Sequence, residues 1–320
     1  MEKGALAGDA MDVVAGQELF SGLVRNLVYY DALPIHPSPK RLESLTSYLT
    51  RLCEANGITS VDALVSMCFA HQSRRVAREQ TDFPPLSLVS LASTTACPEA
   101  TLLLTTFQPI AQKFGRSSHP QPLSRFLAGS LASHFRFCPV CLEDDSYYQL
   151  TWRFHGITGC PIHHCQLLDR CGHCQATLPL LAAPLKVGVC PSCRAYLSMR
   201  QSEPLTETDV RLTQVRIDDL TFLLTARIEE PSRGSIVEAL GSQFANLRRL
   251  RRHTAEDVAY KIGVTLSSIE GIERGQTAKG ATLACYFRYT DMLKVTLRDV
   301  FMMALLDAIP DEMHSRLTPA

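Results

Sequence analysis

The sequence lacks the features that would assign it to a membrane or to a common class of enzyme. No run approaches the roughly 18 apolar residues that a membrane-spanning helix needs, and Lys3 is not followed by the apolar stretch of an export signal. No histidine is followed by glutamate at the next position or two residues later, so the HExxH and H-x-E motifs of zinc hydrolases and deaminases are absent. No glycine-rich loop that cradles phosphate is present either. We therefore expect a cytoplasmic protein that is not an enzyme and does not contact a membrane.

An excess of charge is also missing. Lysine and arginine total 32 residues and aspartate and glutamate total 32, so no overall field attracts the chain to nucleic acid or to anionic lipid. Any such contact must come from a local patch. With 320 residues, 46% of them hydrophobic, the chain is long enough for two or three domains with their own cores.

Cysteine, by contrast, is abundant, with 12 residues, and most of it lies between positions 138 and 193. This stretch contains CPVC, CPIH, CGHC and CPSC, each a pair of ligand residues separated by two others. At that spacing one tight turn directs both side chains at one ion, and a tetrahedral zinc ion needs two such turns. The four pairs therefore predict two structural Zn²⁺ ions. The eight candidate metal ligands are Cys138, Cys141, Cys160, His163, Cys171, Cys174, Cys190 and Cys193.

The pairing of the four motifs has two alternatives. In the consecutive arrangement, the first four ligands bind one ion and the last four bind the other. An interleaved cross-brace of the RING kind places the fourth and fifth ligands two or three residues apart, whereas seven residues separate His163 from Cys171. The spacing favours consecutive sites. His164 and Cys165 are additional donors that compete for the first ion, and His173 is interpreted as a turn residue.

Catalytic roles for this stretch find little support in the sequence. The CGHC motif also serves in dithiol redox enzymes, but that chemistry requires a thioredoxin-like strand before it and a helix after it, and the flanking residues fit neither. A catalytic zinc needs an open coordination position, whereas both predicted sites have four protein ligands. Seven thiolates and two Zn²⁺ ions change the formal charge by −7 + 4 = −3, which makes this region a poor phosphate binder unless its arginines cluster.

The fold class predicted from the sequence is mainly α, with small β elements of the zinc-knuckle or ribbon type. A helix over residues 42–55 ends at Asn56-Gly57, and helices over 88–92 and 100–107 flank residues 96–99 as a helix-turn-helix or a plain αα-hairpin. Residues 147–154 have a strand-like pattern that includes Trp152, which we expect beside the first zinc site. Residues around 220–224 are helical in pattern.

Six regions follow from this pattern. They are an N-terminal segment (1–33), a helical, helix-turn-helix-like domain (34–133), a tandem zinc region (134–200), a bridging helix or linker (201–234), a helix-turn-helix domain (235–308) and a tail (309–320).

Residues 236–306 have the pattern of four or five helices. Thr254 caps one helix, Gly263 makes the turn, Thr265 caps a short second helix, and Glu273-Arg274-Gly275 ends it. This order is typical of a helix-turn-helix. Over about seventy residues the segment resembles the Cro/C1 repressor (XRE-type) family.

Base-reading side chains are few on the expected recognition helix, where Leu266, Ser267, Ser268 and Glu270 stand. Residues 232–301 nevertheless contain 11 lysine or arginine residues against 7 aspartate or glutamate residues. Phosphate contact with weak sequence reading and a protein-docking role are both left open. The candidate nucleic-acid residues are Arg248, Arg249, Arg251, Arg252, Thr265, Ser267, Ser268 and Arg274.

Several motifs together resemble the TniQ/TnsD family of transposon target-selection proteins. They are ESLTSYLTRL at 43–52 with ANG at 55–57, FCPVCL at 137–142, Trp152-Arg153, and the segment from CPIH at 160–163 through LLDRC at 167–171. The resemblance covers roughly residues 34–197.

The resemblance implies a non-enzymatic adaptor. Family members recognise a target site through DNA, or are delivered to it by a CRISPR effector with its guide RNA, and recruit the AAA+ ATPase TnsC, which engages the transposase. A homodimer remains open. The alternatives are a zinc-stabilised, sequence-specific transcriptional regulator and a cross-brace adaptor of the ubiquitin-ligase kind.

Overall fold

The computed structural model describes residues 32–59, 61, 63–64, 82–83, 88–117, 120–180, 186–199, 202–228, 234–276 and 281–306. Nearly all of the N-terminal segment and the whole tail lie outside this part of the chain. Within the described residues the fold is mainly helical, with twelve α-helices and a single pair of two-residue strands.

The N-terminal region is a small helical cluster. Helix α1 (Leu45–Ala55) begins where the Ser44 hydroxyl accepts a hydrogen bond from the Ser47 amide at 3.1 Å. Helices α2 (Val89–Thr95) and α3 (Glu99–Leu103) follow, joined at a left-handed Ala96. These three helices share one hydrophobic core. Helices α4 (Gln108–Lys113) and α5 (Pro120–Phe126) lead to the cysteine-rich region.

The cysteine-rich region has little regular structure. It contains α6 (Pro139–Asp144), a 3₁₀ helix at Leu150–Arg153, an antiparallel pair of strands β1 (Gly159–Cys160) and β2 (Cys165–Gln166), and a second 3₁₀ helix at Leu197–Met199. The strand predicted over 147–154 was wrong, because Leu150–Arg153 is a 3₁₀ helix. The backbone bonds locally there, from the Trp152 amide to the Gln149 carbonyl oxygen at 3.2 Å and from the Phe154 amide to the Thr151 carbonyl oxygen at 3.1 Å.

A buried ion pair links this region to α1. Arg153 is 5% exposed and pairs with Asp82, whose carboxylate also accepts a 2.9 Å hydrogen bond from the Thr46 amide in the first turn of α1. Burial lowers the pKa of Arg153, and the Asp82 carboxylate opposes that effect. The charge is therefore satisfied inside the protein, and Arg153 serves as a structural link.

Six helices complete the described part of the chain: α7 (Glu207–Thr225), α8 (Ile236–Leu250), α9 (Ala255–Ile262), α10 (Leu266–Glu273), α11 (Leu283–Leu293) and α12 (Leu297–Leu306). The ends of α9 and α10 follow from local chemistry. Thr254 and Asp257 form a capping box before α9, Gly263 ends that helix at φ 70°, and Thr265 caps α10. The predicted caps of both helices are confirmed.

Helix α7 connects the cysteine-rich region to the last five helices. The buried Asp219 carboxylate accepts hydrogen bonds from the first amides of α12, at 2.8 Å from Arg298 and 3.3 Å from Leu297. The Arg216 guanidinium lies 4.1 Å from the centre of the Phe287 ring on α11 and 2.9 Å from the Asp291 carboxylate. One hydrophobic core therefore runs from residue 83 to residue 304.

Two glycines permit close packing between α8 and the end of α10. A Cβ atom on Gly241 would lie 2.6 Å from the Ile272 carbonyl oxygen and 2.6 Å from the Gly275 nitrogen. Gly275 has φ +64°, and a Cβ there would lie 2.5 Å from the Glu238 Cα atom. The glycine of the predicted Glu273-Arg274-Gly275 stop is thus needed for both conformation and space.

Candidate metal centres

The first candidate metal centre is formed by the first four predicted ligands. The Cys141 sulfur lies 3.6 Å from the Cys160 sulfur and 3.2 Å from His163 Nδ1, and Cys138 Sγ lies 3.4 Å from that nitrogen. With zinc–sulfur bonds of about 2.3 Å, a regular tetrahedron has sulfur–sulfur edges of about 3.8 Å. The observed separations fit such a site, so these residues could hold one metal ion.

The second candidate centre contains only cysteines. The sulfurs of Cys171 and Cys193 are 3.6 Å apart, as are those of Cys174 and Cys190. In each quartet the ligand atoms all lie within 4.8 Å of one another. The structure therefore groups the ligands in the consecutive order that their spacing favours, and three cysteines with one histidine, or four cysteines, are donor sets typical of structural zinc.

Three of the four ligand pairs share one backbone conformation. The residue after the second ligand is left-handed in each of them: His164 has φ 50°, Gln175 has φ 60° and Arg194 has φ 65°. The amides of Gln175 and Arg194 then donate to the carbonyl oxygens of Cys171 and Cys190, at 3.0 and 2.9 Å. This reversal directs both side chains of a pair to the same point.

The first pair is built differently, on a helix. Cys138 precedes α6, and its sulfur accepts a hydrogen bond from the Cys141 amide at 3.5 Å, as an N-cap residue does. Hydrogen bonds from the Cys141 and Cys160 thiols lower the pKa of Cys138. The thiolate, which a lower pKa favours, is the form of cysteine that binds metal.

His163 is oriented by a carboxylate that the sequence did not single out. Its Nδ1 atom faces the three sulfurs of the first centre, and its Nε2 atom lies 3.3 Å from Asp144 Oδ2. A carboxylate that accepts the distal N–H fixes the tautomer that leaves the other nitrogen free to bind metal. Asp144 follows Cys141 by three residues, on the same face of α6, which is the signal that could have identified it.

The additional donors near these centres do not belong to the quartets. His164 is exposed. Cys165 is buried, and its sulfur lies 3.5 Å from Cys138 Sγ, but it is outside the group of four ligand atoms. Each quartet thus offers four protein ligands, the number typical of structural zinc sites.

The candidate nucleic-acid residues are divided between solvent and the interior. Arg249, Arg252, Thr265, Ser267 and Arg274 are exposed. Ser268 is only 5% exposed, and its hydroxyl lies 2.8 Å from that of Thr265 within the cap of α10. Arg251 is half-buried.

Arg248 occupies an internal position. Its guanidinium donates to both carboxylate oxygens of Glu273 at 2.6 and 2.8 Å and to the His253 carbonyl oxygen at 3.0 Å. The two charged side chains are 13% and 11% exposed. The interaction joins α8 to α10, and because its donors are used there, we leave Arg248 out of the proposed phosphate-contacting surface.

Comparison with known families adds one finding. Residues 34–167 match the family model TniQ. The match runs from the segment before α1 through the four ligands of the first centre, and it supports the TniQ family for this part of the chain. A TniQ domain indicates an adaptor associated with transposition. The search of curated proteins gave no significant match.

Among the described residues, no helix has both the length and the apolar content required to cross a bilayer.

Proposed function

We propose that the chain is a non-enzymatic transposition adaptor. In this role it links recognition of a target site, on DNA directly or through a CRISPR effector, to recruitment of the AAA+ ATPase TnsC and, through it, the transposase. The observation that carries the proposal is the TniQ match over residues 34–167. The two closed centres and the continuous helical core suit a rigid docking protein.

Each quartet is proposed to hold one Zn²⁺ ion. Cys138, Cys141, Cys160 and His163 would bind the first ion, and the four remaining cysteines would bind the second. The ions would supply folding free energy to a region whose described residues form one short α-helix, two 3₁₀ helices and two short strands, so its loops keep one shape without a large core.

The segment from α8 to α12 is proposed to act as an XRE-type helix-turn-helix that contacts the nucleic-acid backbone. Gly263 and Thr265 support the proposal through the turn and cap that they form between α9 and α10. Of the predicted contact residues, Arg249, Arg252 and Arg274 are exposed arginines that could meet phosphate, and Arg274 would exchange its surface pairing with Glu270 for that contact.

The decisive experiment is reconstitution of the full zinc-loaded chain with a TnsC-type AAA+ ATPase and a transposase from the same genome. Co-migration of the chain with ATP-bound ATPase on DNA, in size-exclusion chromatography and by electron microscopy, is the expected result. Absence of any complex, at concentrations where the ATPase assembles alone, would contradict the adaptor role.

The alternative is a zinc-stabilised, sequence-specific transcriptional regulator, which the paired helices α9 and α10 favour. Selection of binding sites from random duplex DNA by the full chain separates the two functions. A regulator enriches one motif. An adaptor that contacts the DNA backbone should enrich no single motif, and its affinity for DNA should depend strongly on salt concentration.

Replacing Arg249, Arg252 and Arg274 together by glutamate tests the surface itself. The plot of log affinity against log salt concentration has a negative slope, and the magnitude of that slope should fall by about 0.9 for each phosphate contact removed. Arg211→Glu, at an exposed arginine on α7, is the control that should leave the slope unchanged. An unchanged slope in the triple variant would assign the last helices to protein docking.

A further inference from the structure

A cavity of about 450 Å³ lies between the N-terminal helices and the end of α7. Its walls come from α3 and α4 on one side, and from the end of α7 and the start of α8 on the other. That volume is within the range of about 300–1,000 Å³ that small ligands or a few side chains occupy. Neither candidate metal centre contributes to it.

Lys113 is the unusual member of this lining. Its side chain is only 9% exposed, and no described residue accepts a hydrogen bond from its ammonium group or forms an ion pair with it. Burial lowers the pKa of Lys113 to about 8, and no neighbouring carboxylate raises it. The Lys113 nitrogen is not one of the fully buried unpaired atoms, so it reaches the cavity. A cation that burial has stripped of part of its water, and that has no acceptor among the described residues, favours an anion at this wall.

The other residues that line the cavity indicate which chemical groups the ligand carries beside its anion. Arg227 adds a second cation at the exposed rim. Leu103, Leu104 and Ile228 supply apolar surface, and Leu104 is 40% exposed. Nucleic-acid sites are more polar than this, because sugars and phosphates need hydrogen-bond partners along their length. An acidic side chain would pair with Lys113 and Arg227, and apolar side chains next to it would pack against the leucine and isoleucine residues of the cavity.

We propose that this cavity is a docking site for an acidic, apolar peptide segment of a partner protein. In that complex a carboxylate of the partner lies between Lys113 and Arg227, and a neighbouring aliphatic or aromatic side chain packs against Leu103, Leu104 and Ile228. The site is separate from the metal centres and from the surface proposed to contact nucleic acid. It does not depend on the proposed adaptor function.

The test is a selection of random twelve-residue peptides displayed on phage against the immobilised, zinc-loaded full chain. Aspartate or glutamate beside leucine, isoleucine, valine or phenylalanine should be enriched. The best synthetic peptide is then titrated by fluorescence anisotropy. Its affinity should fall at least tenfold in Lys113→Met and in Arg227→Met. Lys261→Met, at an exposed lysine on α9, should bind as the unmodified chain does.

Folding of the variants is checked by thermal unfolding. Lys113→Met should unfold at the same or a higher temperature, because it removes a buried charge and keeps the length of the side chain. Loss of binding with the melting temperature retained supports the site.

Several results would overturn the proposal. Selection without acidic enrichment, or equal peptide affinity in Lys113→Met, excludes the cavity as the docking site. Competition by acetate, phosphate or single-stranded DNA at concentrations as low as those of the peptide would assign the site to those anions. Glu229 and Glu230 follow the cavity residue Ile228 and lie outside the described residues. At least tenfold tighter peptide binding in Glu229→Gln/Glu230→Gln would show that an internal carboxylate occupies the site instead.

Discussion

The imidazole of His163 offers two nitrogens to a metal, and Asp144 determines which one is free. Because Asp144 Oδ2 lies 3.3 Å from Nε2, the Nδ1 atom presents its lone pair to the sulfurs of the first centre. We expect Asp144→Asn to weaken zinc binding at this centre about tenfold and to leave the second centre unchanged. Competition with a chromophoric chelator, which resolves the two ions, measures the effect.

Asp145→Asn is the matched control, because Asp145 pairs with Lys40 at 2.8 Å instead of with His163. Equal zinc affinity in both variants would mean that Asp144 does not position the histidine.

Arg194 is another residue whose role lies in its backbone. Its φ of 65° costs an L-residue about 1–2 kcal/mol, whereas glycine adopts it freely at an entropic cost of about 0.5–1 kcal/mol. Arg194→Gly should therefore stabilise the zinc-loaded chain by up to about 1 kcal/mol. Ala195→Gly, at the next position, should destabilise it by about 0.5–1 kcal/mol. Urea unfolding, followed through Trp152 fluorescence, gives both values, and destabilisation by Arg194→Gly would contradict the argument.

For single residues, the sequence predicts the metal ligands better than it predicts which side chains are buried or paired. The eight candidate ligands could be identified because each pair is fixed by a turn of four residues. The burial of Lys113 and the Arg248–Glu273 pair could not, since both depend on contacts between helices distant in sequence. Local patterns specify exposure only on average.

Among the elements, the contact between α8 and α10 depends on one carboxylate. Burial raises the pKa of Glu273, but hydrogen bonds from Arg248 and Tyr289 outweigh burial and hold the pKa below its ordinary value of 4.5. The ionised form is therefore favoured in the folded state. Its stabilisation is present above about pH 4.5 and is lost as the pH falls through the lower, folded-state pKa.

Glu273→Gln should accordingly destabilise α8 and α10 by about 3 kcal/mol at pH 7, because it leaves Arg248 without its counter-charge. The difference from the unmodified chain should shrink when both are measured at pH 3.5. Hydrogen exchange of the α8 and α10 amides in urea reports it. Glu270→Gln, which removes an exposed partner of Arg274, should cost less than about 0.5 kcal/mol. A pH-independent loss would rule out the charge as the cause.

Helix ends were more predictable than the conformation of the cysteine-rich loops. Thr254, Gly263 and Thr265 act through bonds within their own turns, so their effect is readable in sequence. Leu150–Arg153 has β-favouring neighbours, yet it forms a 3₁₀ helix in which all four side chains are buried. That choice depends on contacts such as Arg153 with Asp82, 71 residues apart.

For the whole molecule, the metal ions are the strongest test of the proposed function. Replacing Cys171 and Cys174 by serine should reduce bound zinc from two ions per chain to one, unfold the second centre and abolish recruitment of the ATPase. Elemental analysis and the reconstitution assay measure the two effects. Cys97→Ala, at a buried cysteine outside both quartets, should keep both ions. Two ions retained in the serine variant would contradict the assignment of the ligands.

Asp219 limits how this protein can be dissected. A fragment that starts at Ile236 would keep α8–α12 but lose the carboxylate that receives the first amides of α12. It would also lose Leu220 and Leu223, two buried core residues of α7, and so expose the apolar side chains that pack against them. Truncations intended to isolate the last helices should therefore begin before Glu207. If they begin later, a loss of binding would reflect misfolding and not the removal of a contact with a partner.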